Sequence, residues 1–508
     1  MSMRRNQRNT AALAAVCVSA LMLGLEISSI PAILPTLEHV LPADFRELQW
    51  IMNAYTIAMT TWLMAMGALA DRFGRKRVFV LGIVVFGGAS LICGLATSAP
   101  LLIAARFLQG TSGAAMLACQ IAVLSHQFRD GRDRSVAFGW WGIVFGIGLG
   151  FGPLVGGAIV AVSSWHWVFL IHAVLAVGTT LLAWGGVEES SDPQAARIDL
   201  AGMVTLSLSV FCLVSLITQG RALSSDNPAG LLTAVAGALS LTVFVAVETR
   251  LARPMFDFRA FRIRRFSGAL IGASGMNFSF WPFVIYLPIH FQAVLGLDSA
   301  GASLTLLAYT LPTLFVPPFA EALLRRHGPR FVIPLGLSTI GFGFVLMRVA
   351  TTAAPASWIA MVPGCILAGI GLGLTNTPVT NTATAAVPAE RAGMASGMDM
   401  SARMIALAIN IALMGFILVQ GIRASLAHRV PQAGDDVLAR LAETIAAGNL
   451  AAGVPGGIDV GAAVAREALM QGFGGVMLYG ALCAWTAAAL SFVVFGRRAA
   501  LAGADGRI

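Results

Sequence analysis

The chain has 508 residues, 57% of them hydrophobic and only 11% charged, where an ordinary globular domain carries about 25% charged residues. It also holds repeated apolar runs of about 20 residues, the length that crosses a bilayer as a helix, which excludes a water-soluble enzyme. A membrane β-barrel is excluded as well, since its strands are short and alternate in hydropathy. The expected fold class is an all-α polytopic membrane protein.

The first run, 11–35, follows a basic start with Arg4, Arg5 and Arg8 that imitates a signal peptide. It continues apolar past Glu26 without a small-residue cleavage site and therefore reads as a span. Runs at 50–70, 78–98, 101–125, 135–160 and 166–186 complete a first block of six, within residues 1–190. Two more, 199–219 and 229–248, form an inserted pair within 191–250. A cytoplasmic linker, 251–265, leads to a second block of six, 266–508, with runs at 266–293, 300–323, 330–350, 358–385, 392–420 and 472–497. The expectation is thus fourteen transmembrane helices: two six-helix bundles and two inserted central helices.

The linker stretch "RLARPMFDFRAFRIRRF" alternates aromatic and basic residues, a pattern suited to an interfacial helix on an anionic leaflet. The long connection 421–471 is expected outside; its "DDVLARLAETIAAGNLAAG" fits one amphipathic helix with no evident chemistry. The six cysteines lie inside runs without ligand spacing, and read as small buried apolar residues.

A net charge of +9 invites a nucleic-acid reading, but the distribution of the cations argues against it. With the N-terminus in the cytoplasm, most of the 33 Lys and Arg fall in connections on that side, as the positive-inside rule requires. Both termini are then cytoplasmic, and the partner implied is the lipid surface. The densest cluster is "GALADRFGRKRV", 67–78, in the turn after the second run; "AEALLRRHGPRFV", 320–332, echoes it after the second run of the second block. Gly74 and Gly328 correspond, as expected of a repeat-built transporter. Arg325 stands where Asp71 would align, with Glu321 nearby as a substitute acid.

Ionisable residues in mid-membrane are costly and mark function by default. Glu26, Arg106, Asp399 and Arg403 qualify. Asp399 and Arg403 are four apart and can pair along one helix face. Glu26 has no such partner on its own helix, so it is the acid placed to take up and release a proton, with Arg106 as its electrostatic counterpart; a structural Glu–Arg pair is the alternative. Gly148, Gly152 and Gly156 recur every four residues and leave one face bare for a neighbouring helix, and Pro153 among them can bend the span. Tyr55, Trp141, Asp399 and Arg403 are candidate cavity residues. His172 and His290 stay open between packing and function.

These stretches together resemble the major facilitator superfamily, and within it the fourteen-span drug:proton antiporter branch of the EmrB/QacA type. Gly67, Asp71, Arg72, Gly74, Arg75 and Lys76 match the superfamily's loop motif; "RFLQGTSGAA" (106–115) matches its fourth-span motif. "GLGFGPLVGG", with Gly148, Gly152, Pro153, Gly156 and Gly157, matches the antiporter motif of the fifth span, and "LGLEISSIPAILP" resembles the first-span pattern, with Glu26 where the family usually has Asp. The resemblance implies an inner-membrane multidrug exporter that exchanges hydrophobic or cationic compounds for protons by alternating access, with the 67–76 turn as a cytoplasmic gate and Glu26 and Arg106 at the proton site. It implies small molecules, protons and lipid as partners, room for a periplasmic adaptor, and no cofactor, metal or nucleic acid. An exporter of one metabolite or self-made antibiotic is the alternative. A membrane enzyme would need a catalytic companion for Glu26, and a sensor would need a soluble domain.

Overall fold

The computed structural model describes residues 2–41, 43–128, 131–191, 199–218, 228–251, 254, 256, 258–352, 357–387, 392–430, 434–450 and 460–496. Among these the chain is helical throughout and divides into two compact units. Unit 1 comprises 1–33, 50–216 and 221–257; unit 2 comprises 34–49, 217–220 and 258–508.

Unit 1 is built from the long first helix α1 (Ser2–Val40) up to residue 33, α2 (Phe45–Phe73) from residue 50, α3 (Arg75–Gly94), α4 (Ala99–Gln127), α5 (Gly131–Val162) and α6 (His166–Gly186). The inserted pair α7 (Leu200–Thr218) and α8 (Pro228–Arg250) packs in the same unit. There the Ser207 hydroxyl reaches the Thr61 carbonyl at 3.4 Å, and Trp50 and Phe211 rings lie 5.9 Å apart.

Glycine sets the closest approaches. A Cβ on Gly148 would lie 2.8 Å from the Leu21 carbonyl oxygen, one on Gly152 would fall on Ser28, and one on Gly156 would lie 3.0 Å from Ser29. The bare face expected on α5 is therefore occupied by the backbone of α1, the two helices running parallel, and the Ser28 hydroxyl fastens them by donating to the Gly148 carbonyl at 3.1 Å. Gly157 and Pro153 are buried in the same helix.

Unit 2 holds α9 (Arg264–Asn277), α10 (Phe280–Ile289) with a π turn at His290–Val294, α11 (Ser299–Thr310), α12 (Pro312–Phe315) and α13 (Pro317–His327). It continues with α14 (Pro329–Thr352), α15 (Trp358–Ala385), α16 (Ala392–Arg429), α17 (Asp435–Ala446) and α18 (Ala462–Phe495). The 300–323 run is bent at a break, and the 266–293 run, which still counts as one span over Arg264–Val294, is interrupted locally; proline explains both. Pro282 has no N–H for the Phe278 carbonyl, so the 266–293 run is interrupted at Phe278–Ser279. Pro312 and Pro317 divide the 300–323 run, whose parts Ala300–Phe315 and Pro317–His327 meet at 45°.

Twelve described helices are long and apolar enough to cross a membrane, or thirteen if that bent pair is one span. The expected run 50–70 lies in α2, which is not among them; fourteen is thus above the number that length and hydropathy give for the described residues. Two other expectations meet the described residues only in part. The 421–471 connection is narrower, because α16 continues to Arg429 and α18 begins at Ala462. Between them α17 is an amphipathic helix, burying Leu438, Leu441 and Ile445; residues 431–433 and 451–459 lie outside the described residues. In the linker the described part is a 3-10 turn, Phe258–Arg262, followed directly by α9; residues 252, 253, 255 and 257 of the expected interfacial helix lie outside the described residues.

Candidate functional site

Glu26 lies in α1 with its side chain fully buried, and four other helices of unit 1 converge around it. From α4, the Arg106 guanidinium donates through Nη1 to Glu26 Oε1 and, at 2.7 Å, to Gln109 Oε1. Its Nε donates to the Ile51 carbonyl of α2 at 3.0 Å, and its Cζ lies 4.4 Å from the Tyr55 ring centroid. Gly110 makes this reach available: a Cβ there would run into the Tyr55 carbonyl oxygen, so α2 and α4 run parallel with their backbones in contact. One turn earlier on each helix, Arg106 then meets Ile51.

The amide of Gln109 donates to Ser90 Oγ of α3 at 2.8 Å, and Ser90 donates to the Phe86 carbonyl at 2.7 Å. From α6, His172 Nδ1 stands 3.3 Å from the second carboxylate oxygen, Glu26 Oε2. A charge buried in an apolar interior is sustained only when paired and hydrogen-bonded; here carboxylate and guanidinium supply that for one another.

The expected pairing of Glu26 with Arg106 is thus brought together, with Tyr55 beneath it. Trp141 belongs to a neighbouring polar contact instead: its indole N–H donates to Gln120 Oε1 at 2.9 Å, and Gln120 donates to Ser19 Oγ at 2.8 Å. Asp399 and Arg403 are in unit 2 and pair with each other, Nε to Oδ2 at 3.1 Å. Asn376 and Thr380 of α15 take the remaining guanidinium nitrogens.

His172 was open between packing and function; its Nδ1 is hydrogen-bonded to the Val168 carbonyl at 3.0 Å and lies 3.3 Å from Glu26 Oε2, an oxygen without a hydrogen-bond partner among the described residues. Gln109 is part of the matched fourth-span motif, whereas no motif marks Gln120. A signal for both exists: Arg106, Gln109, Gly113, Gln120 and Gln127 recur at helical spacing along α4, a polar stripe on an otherwise apolar span.

In the 67–76 turn, Asp71 accepts from Arg75 Nε and Nη2 at 2.9 and 2.8 Å. The carboxylate at the amino end of α3, where the helix dipole favours an anion, is that of Glu189, accepting from the Lys76 N–H at 3.1 Å. Lys76 Nζ donates to the Trp184 carbonyl at 2.6 Å, the Arg75 N–H donates to the Ser190 carbonyl at 2.8 Å, and Arg72 is exposed. Gly74 closes the turn at φ +111°, and its counterpart Gly328 at φ +74°. Glu321, the candidate substitute acid of the second turn, accepts from Asn381 at 2.6 Å.

Residues 16–411 match the Major Facilitator Superfamily profile. The chain belongs to that superfamily. It is 29% identical over 442 residues to the multidrug resistance protein Stp of Mycobacterium tuberculosis, covering 87% of this chain and 82% of Stp. It is also 29% identical over 396 residues to the methyl viologen resistance protein SmvA of Salmonella typhimurium, covering 77% and 79% of the two chains. Among solved structures, a bacterial homologue of the human lysosomal transporter Spinster, inward-facing and unoccupied, matches 98% of both chains at TM-score 0.65 and 15% identity, a likeness of fold. The chain is accordingly a multi-pass membrane protein of a transporter superfamily.

Proposed function

We propose that this member of the superfamily is a proton-coupled multidrug exporter of the cytoplasmic membrane, expelling hydrophobic or cationic compounds by alternating access, with Glu26 as the proton-carrying group. The observation that carries the reading is the burial of Glu26 with Arg106 on one of its oxygens. The relatives named for multidrug and methyl viologen resistance support the substrate class.

In its ionised form Glu26 holds Arg106 by charge. A proton on the carboxyl removes that charge and leaves the guanidinium with the Ile51 carbonyl and Gln109. A cationic substrate and a proton would both act on this balance, and their competition couples the two flows. The turn from Asp71 to Lys76 serves in this reading as the cytoplasmic gate, and both termini face the cytoplasm.

The test uses the full chain in proteoliposomes with an imposed pH gradient and methyl viologen as substrate. Glu26→Gln fixes a neutral side chain and should abolish gradient-driven transport while substrate-for-substrate exchange persists. Gradient-driven transport at the wild-type rate in that variant would remove Glu26 from the coupling.

A further inference from the structure

Three helices of unit 2 bring their ends together at one rim of their membrane spans: α9 starts at Arg264, α14 starts at Pro329, and α18 stops at Phe495. Close packing fixes that corner. A Cβ on Gly272 of α9 would lie 2.7 Å from Ile333 Cγ2 of α14, and one on Gly268 would lie 2.9 Å from the Phe495 ring. The Ser491 hydroxyl of α18 donates to the Gly268 carbonyl at 2.9 Å.

Two guanidinium groups are laid against the end of α18. Arg330 Cζ is 4.4 Å from the Phe492 ring centroid, and Arg264 Nη1 would stand 2.8 Å from a Cβ on Gly496, the glycine that closes the helix at φ +63°. Phe492 and Gly496 are four residues apart, so the two arginines meet one face of α18 about one turn apart. Arg330 Nε is enclosed and has no hydrogen-bond partner, and neither arginine pairs with a carboxylate among the described residues. Glu321 of the preceding helix α13 accepts from Asn381 instead.

The carboxyl end of α18 offers these cations a partial negative charge of about half a unit, while the amino ends of α9 and α14 each add a positive charge of about the same size. Two full guanidinium charges therefore go uncompensated. An arginine held flat against a ring presents its N–H fork in the geometry that suits a phosphate. Away from the corner the surface turns apolar, with Phe331, Leu335 and Phe342 exposed on α14 and Leu482, Leu490 and Val493 exposed on α18.

We propose that this corner is a discrete site for an anionic phospholipid, its phosphodiester held by Arg264 and Arg330 and its acyl chains lying along the exposed faces of α14 and α18. The general attraction of a basic surface to an anionic leaflet needs charge alone; this site needs these two side chains in these places. A lipid seated there ties the ends of α9, α14 and α18 to one another. The inference stands independently of the transport reading.

The test counts the lipid retained by the full-length protein in a neutral detergent by native mass spectrometry. Dioleoyl phosphatidylglycerol is titrated in, with dioleoyl phosphatidylcholine as a zwitterionic lipid of the same chains and inorganic phosphate as a competitor. Wild type should retain phosphatidylglycerol in preference to phosphatidylcholine, and Arg264→Gln and Arg330→Gln should each weaken retention about fivefold. Arg330→Lys keeps the charge but gives up the planar fork, and should weaken it as well. Arg326→Gln removes the same charge from the exposed end of α13 and should leave retention at the wild-type level. If the Gln variants do not reach the membrane, Arg330→Lys and Phe492→Leu, which removes the ring beneath the guanidinium, carry the same comparison.

Wild-type retention in the Arg264 and Arg330 variants, or equal retention of the two lipids, would overturn the site. Weakening in Arg326→Gln as large as in Arg330→Gln would overturn it by reducing it to a diffuse basic surface. Displacement of the lipid by millimolar inorganic phosphate would overturn the lipid assignment and give the pair of arginines to a free anion.

Discussion

Gly74 and Glu189 fit together at the amino end of α3: a Cβ on Gly74 would lie 2.6 Å from Glu189 Oε1, an oxygen that accepts from the Lys76 and Ser190 N–H groups. The glycine also sits at φ +111°, a conformation that costs a side-chain-bearing residue about 1–3 kcal/mol. Gly74→Ala should therefore lower the denaturation midpoint in mild detergent. Gly67→Ala, whose new Cβ would meet only the Ala118 Cβ at 3.9 Å, should match wild type or exceed it by up to about 1 kcal/mol, since alanine suits a helix interior better than glycine. Equal effects at the two positions would mean that the motif glycines are not distinguished by geometry.

The α1–α5 contact makes a second contrast within one helix. Gly152→Ala would drive a methyl group onto Ser28, and Gly148→Ala would place one 2.8 Å from the Leu21 carbonyl oxygen. Overpacking of this kind costs about 1–3 kcal/mol. Gly139→Ala and Gly142→Ala, where nothing lies within 4 Å, should be neutral in the same unfolding measurement.

Removing one partner of the buried ion pair should cost more than removing both. Arg106→Gln leaves Glu26 charged and without its guanidinium, a loss of about 3–5 kcal/mol for a broken buried pair. In the Arg106→Gln, Glu26→Gln double variant no charge is stranded, so part of that stability should return. Strictly additive losses in a double-mutant cycle would mean that the two side chains are not energetically coupled.

The distribution of basic residues predicts sidedness. In a variant without native cysteines, Arg440→Cys on the exposed face of α17 should react with an impermeant maleimide added to intact cells. Arg326→Cys, at the exposed end of α13, should react only after permeabilisation. Labelling of both from outside would overturn the orientation.

Much of this was legible because membrane spans and motif glycines write themselves into local sequence. The apolar runs gave the helices, and their four-residue glycine spacing gave the α5 face, though not that α1 covers it. The Asp399–Arg403 pair was readable because both residues lie on one helix. Partners distant along the chain left no such trace: Glu189 meets Lys76, and His172 meets Glu26, only after α6 has folded back along α3 and α1. The proline breaks in unit 2 were equally hidden, because Pro282, Pro312 and Pro317 sit in runs whose hydropathy is uninterrupted. A proline removes a backbone donor without making the segment less apolar.

The uneven burial of the helices bears on how the chain leaves the translocon. Only 17% of the most apolar stretch of α8 is buried, against 78% for the segment Arg264–Val294 that follows it. Helix α8 can partition into lipid on hydropathy alone, without waiting for neighbours. The next segment is also apolar enough to cross, but most of its surface is covered by neighbouring helices in the folded chain. Defects in the two should therefore surface at different moments of biogenesis: an arginine at Leu239, 61% exposed on α8, adds about 2.5–3.5 kcal/mol to insertion at a helix centre and stalls membrane integration. A truncation of the fully buried Phe283 passes that checkpoint and fails afterwards, in the company of its partner helices.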